Sequence, residues 1–170
     1  MNLQHDPLAN LYLMTVISRF KEIKQLADKA LQQLSSESDW HYAPAPDSNS
    51  IAIIIKHMSG NMISRWTDLL TTDGEKTNRD RDGEFTEEKL TVDQLRGLWE
   101  HGWDVFLSTL HQLKPEHLTH TIMIRQKPLT VLDAIDRQMS HYSYHVGQIV
   151  YLCKYLTADQ WHSLSIPKKK

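Results

Sequence analysis

Four long stretches of this chain carry apolar residues three and four positions apart, the spacing that places side chains on one face of an α-helix. The stretches cover approximately residues 7–34, 51–70, 92–114 and 131–156. A residue suited to cap a helix N-terminus precedes each of them: Asp6, Ser50, Thr91 and Thr130. Because amphipathic helices must bury their apolar faces against one another, the pattern predicts an all-α fold, a four-helix bundle.

The connections between these helices are long. Residues 35–49 contain two prolines and are predicted to form a loop, and residues 71–86 are polar and are predicted to form an exposed connection. The β-branched residues of 119–131 flank a short polar middle, which predicts a small hairpin or an extended connection before the last helix. We therefore assume no simple up-down-up-down order. The length predicts a single domain over 1–170, with residues 164–170 as a tail.

Composition excludes several classes of protein. The net charge is −2, whereas a nucleic-acid binder usually presents a basic face, so we expect no nucleic-acid partner. The longest apolar run is Ile51–Ile55, which is too short to span a membrane. Residues 1–7 lack the features of a signal peptide, and the one cysteine, Cys153, permits no intramolecular disulfide. These features predict a cytoplasmic protein.

Histidines suggest a metal site. His141 and His145 lie four residues apart, so on a helix their imidazoles point the same way and can converge on one ion. Ten histidines in 170 residues would produce about 0.6 such pairs by chance, so the spacing alone is weak support. His57 lies at the edge of the apolar face of the second helix, as the pair does on the fourth. Three imidazoles meeting at the end of a bundle would bind a divalent metal ion, Zn²⁺ or Ni²⁺, with an open coordination position.

Two segments carry a family resemblance. Residues 50–61 (SIAIIIKHMSGN) and 141–149 (HYSYHVGQI) resemble the DinB-like superfamily of four-helix-bundle metal-binding proteins, and residues 66–74 and 164–168 resemble one uncharacterised branch of it. The resemblance implies one metal ligand from the second helix and a pair from the fourth, which are His57, His141 and His145 here. Relatives include bacillithiol transferases and a mycothiol-dependent maleylpyruvate isomerase. In these enzymes a divalent metal activates a low-molecular-weight thiol, so the resemblance also implies a small-molecule thiol as partner.

Residues around the histidines allow alternative interpretations. Asn61 and Gln148 either hydrogen-bond ligand imidazoles or are solvated residues at the edge of the helix face, and the sequence favours neither. Cys153 is predicted to be a small buried apolar residue. Five histidines are predicted to lie on the surface: His101, His111, His117, His120 and His162. Five aromatic residues are expected in the core or a dimer interface rather than around a substrate: Trp66, Trp99, Trp103, Tyr142 and Tyr144.

Two functions fit this pattern. The first is a metal-dependent thiol S-transferase or a related small-molecule enzyme. The alternative is a non-catalytic metal-binding dimer that acts in stress response or as an interaction module. The sequence offers three metal ligands but no obvious second catalytic group, so it does not decide between them. In either case we expect a homodimer with a two-fold interface.

Overall fold

The computed structural model describes residues 6–166 and is predominantly helical. Its α-helices are α1 (Pro7–Leu31), α2 (Glu37–His41), α3 (Ile51–Trp66), α4 (Val92–Gln112) and α5 (Val131–Thr157). Two short strands, β1 (Thr121–Ile124) and β2 (Lys127–Thr130), pair antiparallel. The predicted all-α fold with a small hairpin before the last helix is therefore confirmed.

The predicted N-terminal caps are all present. Side-chain oxygens accept hydrogen bonds from first-turn amides at Asp6, Ser50, Thr91 and Thr130. At α4 the bonding is reciprocal, because the Gln94 side chain also accepts from the Thr91 amide at 2.8 Å. These bonds satisfy amide groups that have no partner within the helix. The cap residues thus determine where each long helix begins.

The C-terminal ends differ from the sequence prediction. Helix α1 ends at Leu31 rather than near Leu34, and α3 ends at Trp66 rather than near Leu70. Asp68 has a φ of 50°, a left-handed conformation that cannot continue an α-helix. The 35–49 loop also contains the short helix α2, whose five residues are too few to produce a periodic apolar pattern.

An aromatic cluster fills the centre of the bundle, where α1 packs on α5 and α3 packs on α4. The cluster consists of Phe20, Trp66, Trp103, Phe106 and Tyr142. Their rings meet edge to face with centroids 4.5–5.9 Å apart, a geometry worth about 0.5–1.5 kcal/mol per pair beyond burial. Trp99 and Cys153 are buried as predicted, and burial raises the pKa of the Cys153 thiol to about 12. Tyr144 is exposed.

The hairpin holds the connection between α3 and α4 in place. Its turn residues Arg125 and Gln126 have φ of 54° and 60°, the left-handed pair expected of a tight two-residue turn. The Asp73 carboxylate accepts hydrogen bonds from both of their amides, at 2.9 and 2.7 Å. The Gly74 amide donates to the Met123 carbonyl at 2.8 Å. At Asp73 and Gly74 the connection that was predicted to be exposed is therefore hydrogen-bonded to the hairpin.

No helix within residues 6–166 has the length and apolar character needed to cross a membrane. Most of the N-terminal segment considered as a signal peptide, and residues 167–170 of the predicted tail, lie outside the described residues.

Candidate metal centre

Three histidines from two helices converge. His57 lies on α3, and His141 and His145 lie one turn apart on α5. The Nε2 atom of His141 is 3.2 Å from that of His57 and 3.1 Å from that of His145. Candidate ligand atoms of all three lie within 4.8 Å of one another. The structure thus brings together the three histidines that the sequence singled out.

The spacing of these nitrogens fits a single metal ion. Zn–N bonds of about 2.0–2.1 Å place neighbouring ligand atoms about 3.3 Å apart around a tetrahedral ion, and about 3.0 Å apart at octahedral angles. The observed separations of 3.1 and 3.2 Å lie between these values. His57 and His145 are buried and His141 is partly buried, so the three rings are held by packing.

Glu84 orients the ring of His57. Its Oε2 lies 3.0 Å from His57 Nδ1, and both side chains are buried. Burial opposes the negative charge of Glu84, but hydrogen bonds from His57 and Arg79 outweigh it and hold the pKa of the carboxyl below its ordinary value. The ionised carboxylate accepts the Nδ1 proton of His57. The lone pair of His57 is therefore on Nε2, which faces the other two histidines.

Arg79 holds Glu84 in position. Its Nε donates to Glu84 Oε1 at 2.7 Å and its Nη2 donates to Oε2 at 2.8 Å, a bidentate pair. The arginine side chain is only 4% exposed. The sequence prediction of an exposed connection over residues 71–86 is wrong for these two residues. Alternating charges in a polar segment gave no sign that one ion pair would be buried against α3.

Gln148 orients His145. Its Oε1 accepts a hydrogen bond from His145 Nδ1 at 2.8 Å, and its Nε2 donates to the Tyr144 hydroxyl at 3.2 Å. The Nε2 of His145 therefore also carries a lone pair. Of the two interpretations open for Gln148, the structure supports the hydrogen bond to an imidazole.

Gln138, which the sequence did not single out, contacts the third imidazole. Its Nε2 donates to Asn61 Oδ1 at 3.0 Å and lies 3.3 Å from His141 Nδ1. Asn61 therefore reaches His141 only through Gln138, and it also accepts from the Tyr142 hydroxyl at 3.2 Å. In this arrangement the proton of His141 is on Nε2. For a metal ion to bind Nε2, the proton of His141 must lie on Nδ1 instead. The side-chain amide of Gln138 must then be reversed, so that its oxygen accepts a hydrogen bond from Nδ1.

The surroundings of His141 and His145 favour their neutral forms. Burial and the neighbouring histidines lower the pKa of His141 to about 3, and burial is also the main cause of the lowered pKa of His145. Neutral imidazole is the form that binds a metal, so His141 and His145 can each offer a ring nitrogen at pH 7 without loss of a proton.

The five histidines predicted to lie on the surface are not part of this cluster. His101, His111, His120 and His162 are exposed and His117 is half-buried. His117 Nδ1 accepts a hydrogen bond from the Lys114 amide at 3.1 Å, a local turn contact.

A comparison with known protein families identifies the family of this chain. The profile of the family described as "Protein of unknown function (DUF1572)" matches residues 7–170, which is nearly the whole chain, and this family is placed in the DinB-like clan. No curated protein matches the chain.

Proposed function

The chain belongs to the DUF1572 family of the DinB-like clan, and from that premise we propose that it binds one divalent metal ion through His57, His141 and His145. The observation that carries this proposal is that the Nε2 atoms of His57 and His145 lie 3.2 and 3.1 Å from that of His141, with all three candidate ligand atoms within 4.8 Å of one another. Two of the rings already have their Nδ1 atoms engaged by Glu84 and Gln148. Three imidazoles are typical ligands of zinc and nickel.

We further propose that the site serves a thiol S-transferase or a related small-molecule reaction. A bound divalent ion stabilises the thiolate form of a thiol, which is the nucleophilic form. Glu84 and Gln148 orient the rings of His57 and His145, and burial favours the neutral forms of His141 and His145. A cleft of about 250 Å³ borders His57 and His141 and offers a small molecule access to them.

Metal content is the first test. Protein reconstituted with Zn²⁺ or Ni²⁺ and desalted should retain close to one ion per chain by elemental analysis, and His141→Ala should lose most of it. His101→Ala is the matched control, because His101 is an exposed histidine outside the cluster. Equal metal content in wild type and His141→Ala would refute the site, as would loss in both variants.

The thiol reaction needs a second test. In cobalt-substituted protein, bacillithiol at millimolar concentration should add a thiolate charge-transfer band to the visible spectrum, and a reporter electrophile should be conjugated. Both signals should disappear in His145→Ala and persist in His101→Ala. Metal binding without a spectral change, and without consumption of any electrophile in a broad panel, would refute the transferase proposal but leave the metal-binding proposal intact.

The alternative is a non-catalytic metal-binding dimer. One observation favours it: among the described residues, no carboxylate lines the cleft beside His57 and His141, and the Glu84 carboxylate that contacts His57 is already bound by Arg79. Retained metal, a dimeric mass and no thiol response would together support this second function. The cytoplasmic location stays a prediction.

A further inference from the structure

Arginines dominate the cleft beside the histidine cluster. The cleft has a volume of about 250 Å³, and its walls include His57 and His141. Five arginines line it: Arg65, Arg79, Arg81, Arg125 and Arg137. They come from α3, from the connection after it, from the hairpin turn and from α5. Four separate parts of the fold therefore place positive charge around one small space.

Nearby carboxylates only partly balance this charge. Glu75 lies 3.1 Å from Arg65, 3.5 Å from Arg79 and 3.1 Å from Arg125, so it is shared among three guanidinium groups. Glu84 is bound to Arg79 and to His57. The remaining contact, of Arg81 with the almost fully exposed Asp82, is long at 3.7 Å. Asp73 adds a fourth carboxylate, since it accepts hydrogen bonds from the Arg125 and Gln126 amides. Four carboxylates thus face five arginines, which leaves a small excess of positive charge at the cleft.

Arg137 is the most available of the five. It is exposed on α5 four residues before His141, so it lies one helical turn from a proposed metal ligand on the same face. Within residues 6–166 it takes part in none of the ion pairs. Its guanidinium can therefore bind an incoming anion without first losing a partner.

We propose that this cleft binds a small molecule through a carboxylate or phosphate group, with Arg137 as its principal contact. A guanidinium donates two parallel hydrogen bonds to either group, and the surrounding arginines add attraction that the nearby carboxylates offset only in part. That the anion belongs to the substrate or thiol cosubstrate rests on the proposed function, because the cleft adjoins the proposed metal ligands. The anion site itself depends only on the arginines.

The test measures anion binding to full-length protein freed of metal with a chelator. Calorimetric titrations at low ionic strength would use succinate, inorganic phosphate and the uncharged analogue succinamide. We expect succinate, phosphate or both to bind and succinamide not to bind. Arg137→Gln should weaken binding about tenfold, as loss of one charge-assisted contact implies. Arg137→Lys should retain part of it, because the charge remains without the bidentate geometry.

Two controls separate this site from general attraction by a charged surface. Arg19→Gln removes an exposed arginine on α1 that pairs with Glu22, and it should leave binding unchanged. Arg81→Gln removes a second exposed lining residue and should also weaken binding. Circular dichroism would confirm that each variant is folded.

Three results would overturn the proposal: no anion bound by wild type, equal binding of succinamide, or equal losses in Arg19→Gln and Arg137→Gln. Stronger binding of phosphate or of succinate identifies which acidic group the cleft prefers. Since the protein in these titrations holds no metal, anion binding would stand even if the metal analysis failed. Conversely, metal retention without anion binding would leave the proposed function intact and reject only the anion site.

Discussion

Glu84→Gln tests whether the α3–α4 connection contributes to metal binding. The substitution keeps the size of the side chain and an oxygen that can accept the His57 Nδ1 proton. It removes the negative charge that favours this tautomer and that pairs with Arg79 at 2.7 and 2.8 Å. Because the carboxylate is buried, water cannot replace it. The His57 ring should therefore become a weaker and less well-oriented ligand.

The size of the effect follows from the role of such partners in metal sites. Removal of the carboxylate that holds a ligand histidine typically weakens metal affinity by about 10–100-fold, or about 1.4–2.8 kcal/mol. Since the glutamine still offers an oxygen to His57, we expect the lower end, about tenfold. The variant also leaves the charge of Arg79 paired only with that of Glu75, at 3.5 Å. We therefore expect the free energy of unfolding to fall by about 1–3 kcal/mol as well.

The assay is competition for Zn²⁺ against a chromophoric chelator, with helix content checked by circular dichroism. Glu88→Gln is the matched control, because Glu88 is a carboxylate of the same connection whose side chain is 60% exposed and pairs with Lys56. It should change zinc affinity by less than about twofold, as expected for an exposed ion pair. Wild-type affinity in folded Glu84→Gln, or an equal loss in Glu88→Gln, would refute the argument.

Three further predictions concern pH, packing and assembly. His141 binds a proton near pH 3 in the folded protein but near pH 6.5 when unfolded, so the unfolded chain binds more protons between these values. The metal-free protein should lose about 2 kcal/mol of stability from this group between pH 7 and pH 5, and His141→Ala should reduce the loss seen in denaturation curves. Gly102→Ala should lower the free energy of unfolding by about 1–3 kcal/mol in chemical denaturation, because a Cβ there would lie 2.9 Å from Ser59 Cα. Gly97→Ala is the control: a Cβ there would have nothing within 4 Å, so the free energy of unfolding should rise by about 0.5–1 kcal/mol. Light scattering should give a homodimer of twice 19.8 kDa, since exposed apolar side chains such as Leu11 and Tyr151 remain uncovered on the chain. A mass near 19.8 kDa at micromolar concentration would contradict this prediction.

The long helices and the histidine cluster could be predicted because both depend on local spacing. Apolar residues repeat every three or four positions over many turns, and hydroxyl or carboxylate caps mark where the helices begin. The pair His141 and His145 needs only one helix to converge. His57 could be predicted as the third ligand because it lies beside the apolar face of its own helix, near the surface where that helix packs against other helices.

The partners of these histidines were harder to predict. Gln148 lies three residues after His145 and could be considered from spacing. Glu84 lies 27 residues from His57, and no local rule joins them. One signal was available: Gly60, in the middle of α3, where a glycine costs about 1 kcal/mol relative to alanine. A Cβ at Gly60 would overlap the Glu84 carboxylate, so the glycine marks the place where the connection approaches the helix.

The same geometry makes the hairpin part of the site. Asp73 binds the hairpin turn through two amides, and Glu75 binds Arg125 of that turn. Glu75 also contacts Arg79, which in turn holds Glu84 against His57. The orientation of one proposed metal ligand on α3 therefore depends on a continuous set of polar contacts that begins at the turn before α5. An α3 helix with the same sequence but without this connection would still present His57, but it would not fix which nitrogen carries the lone pair.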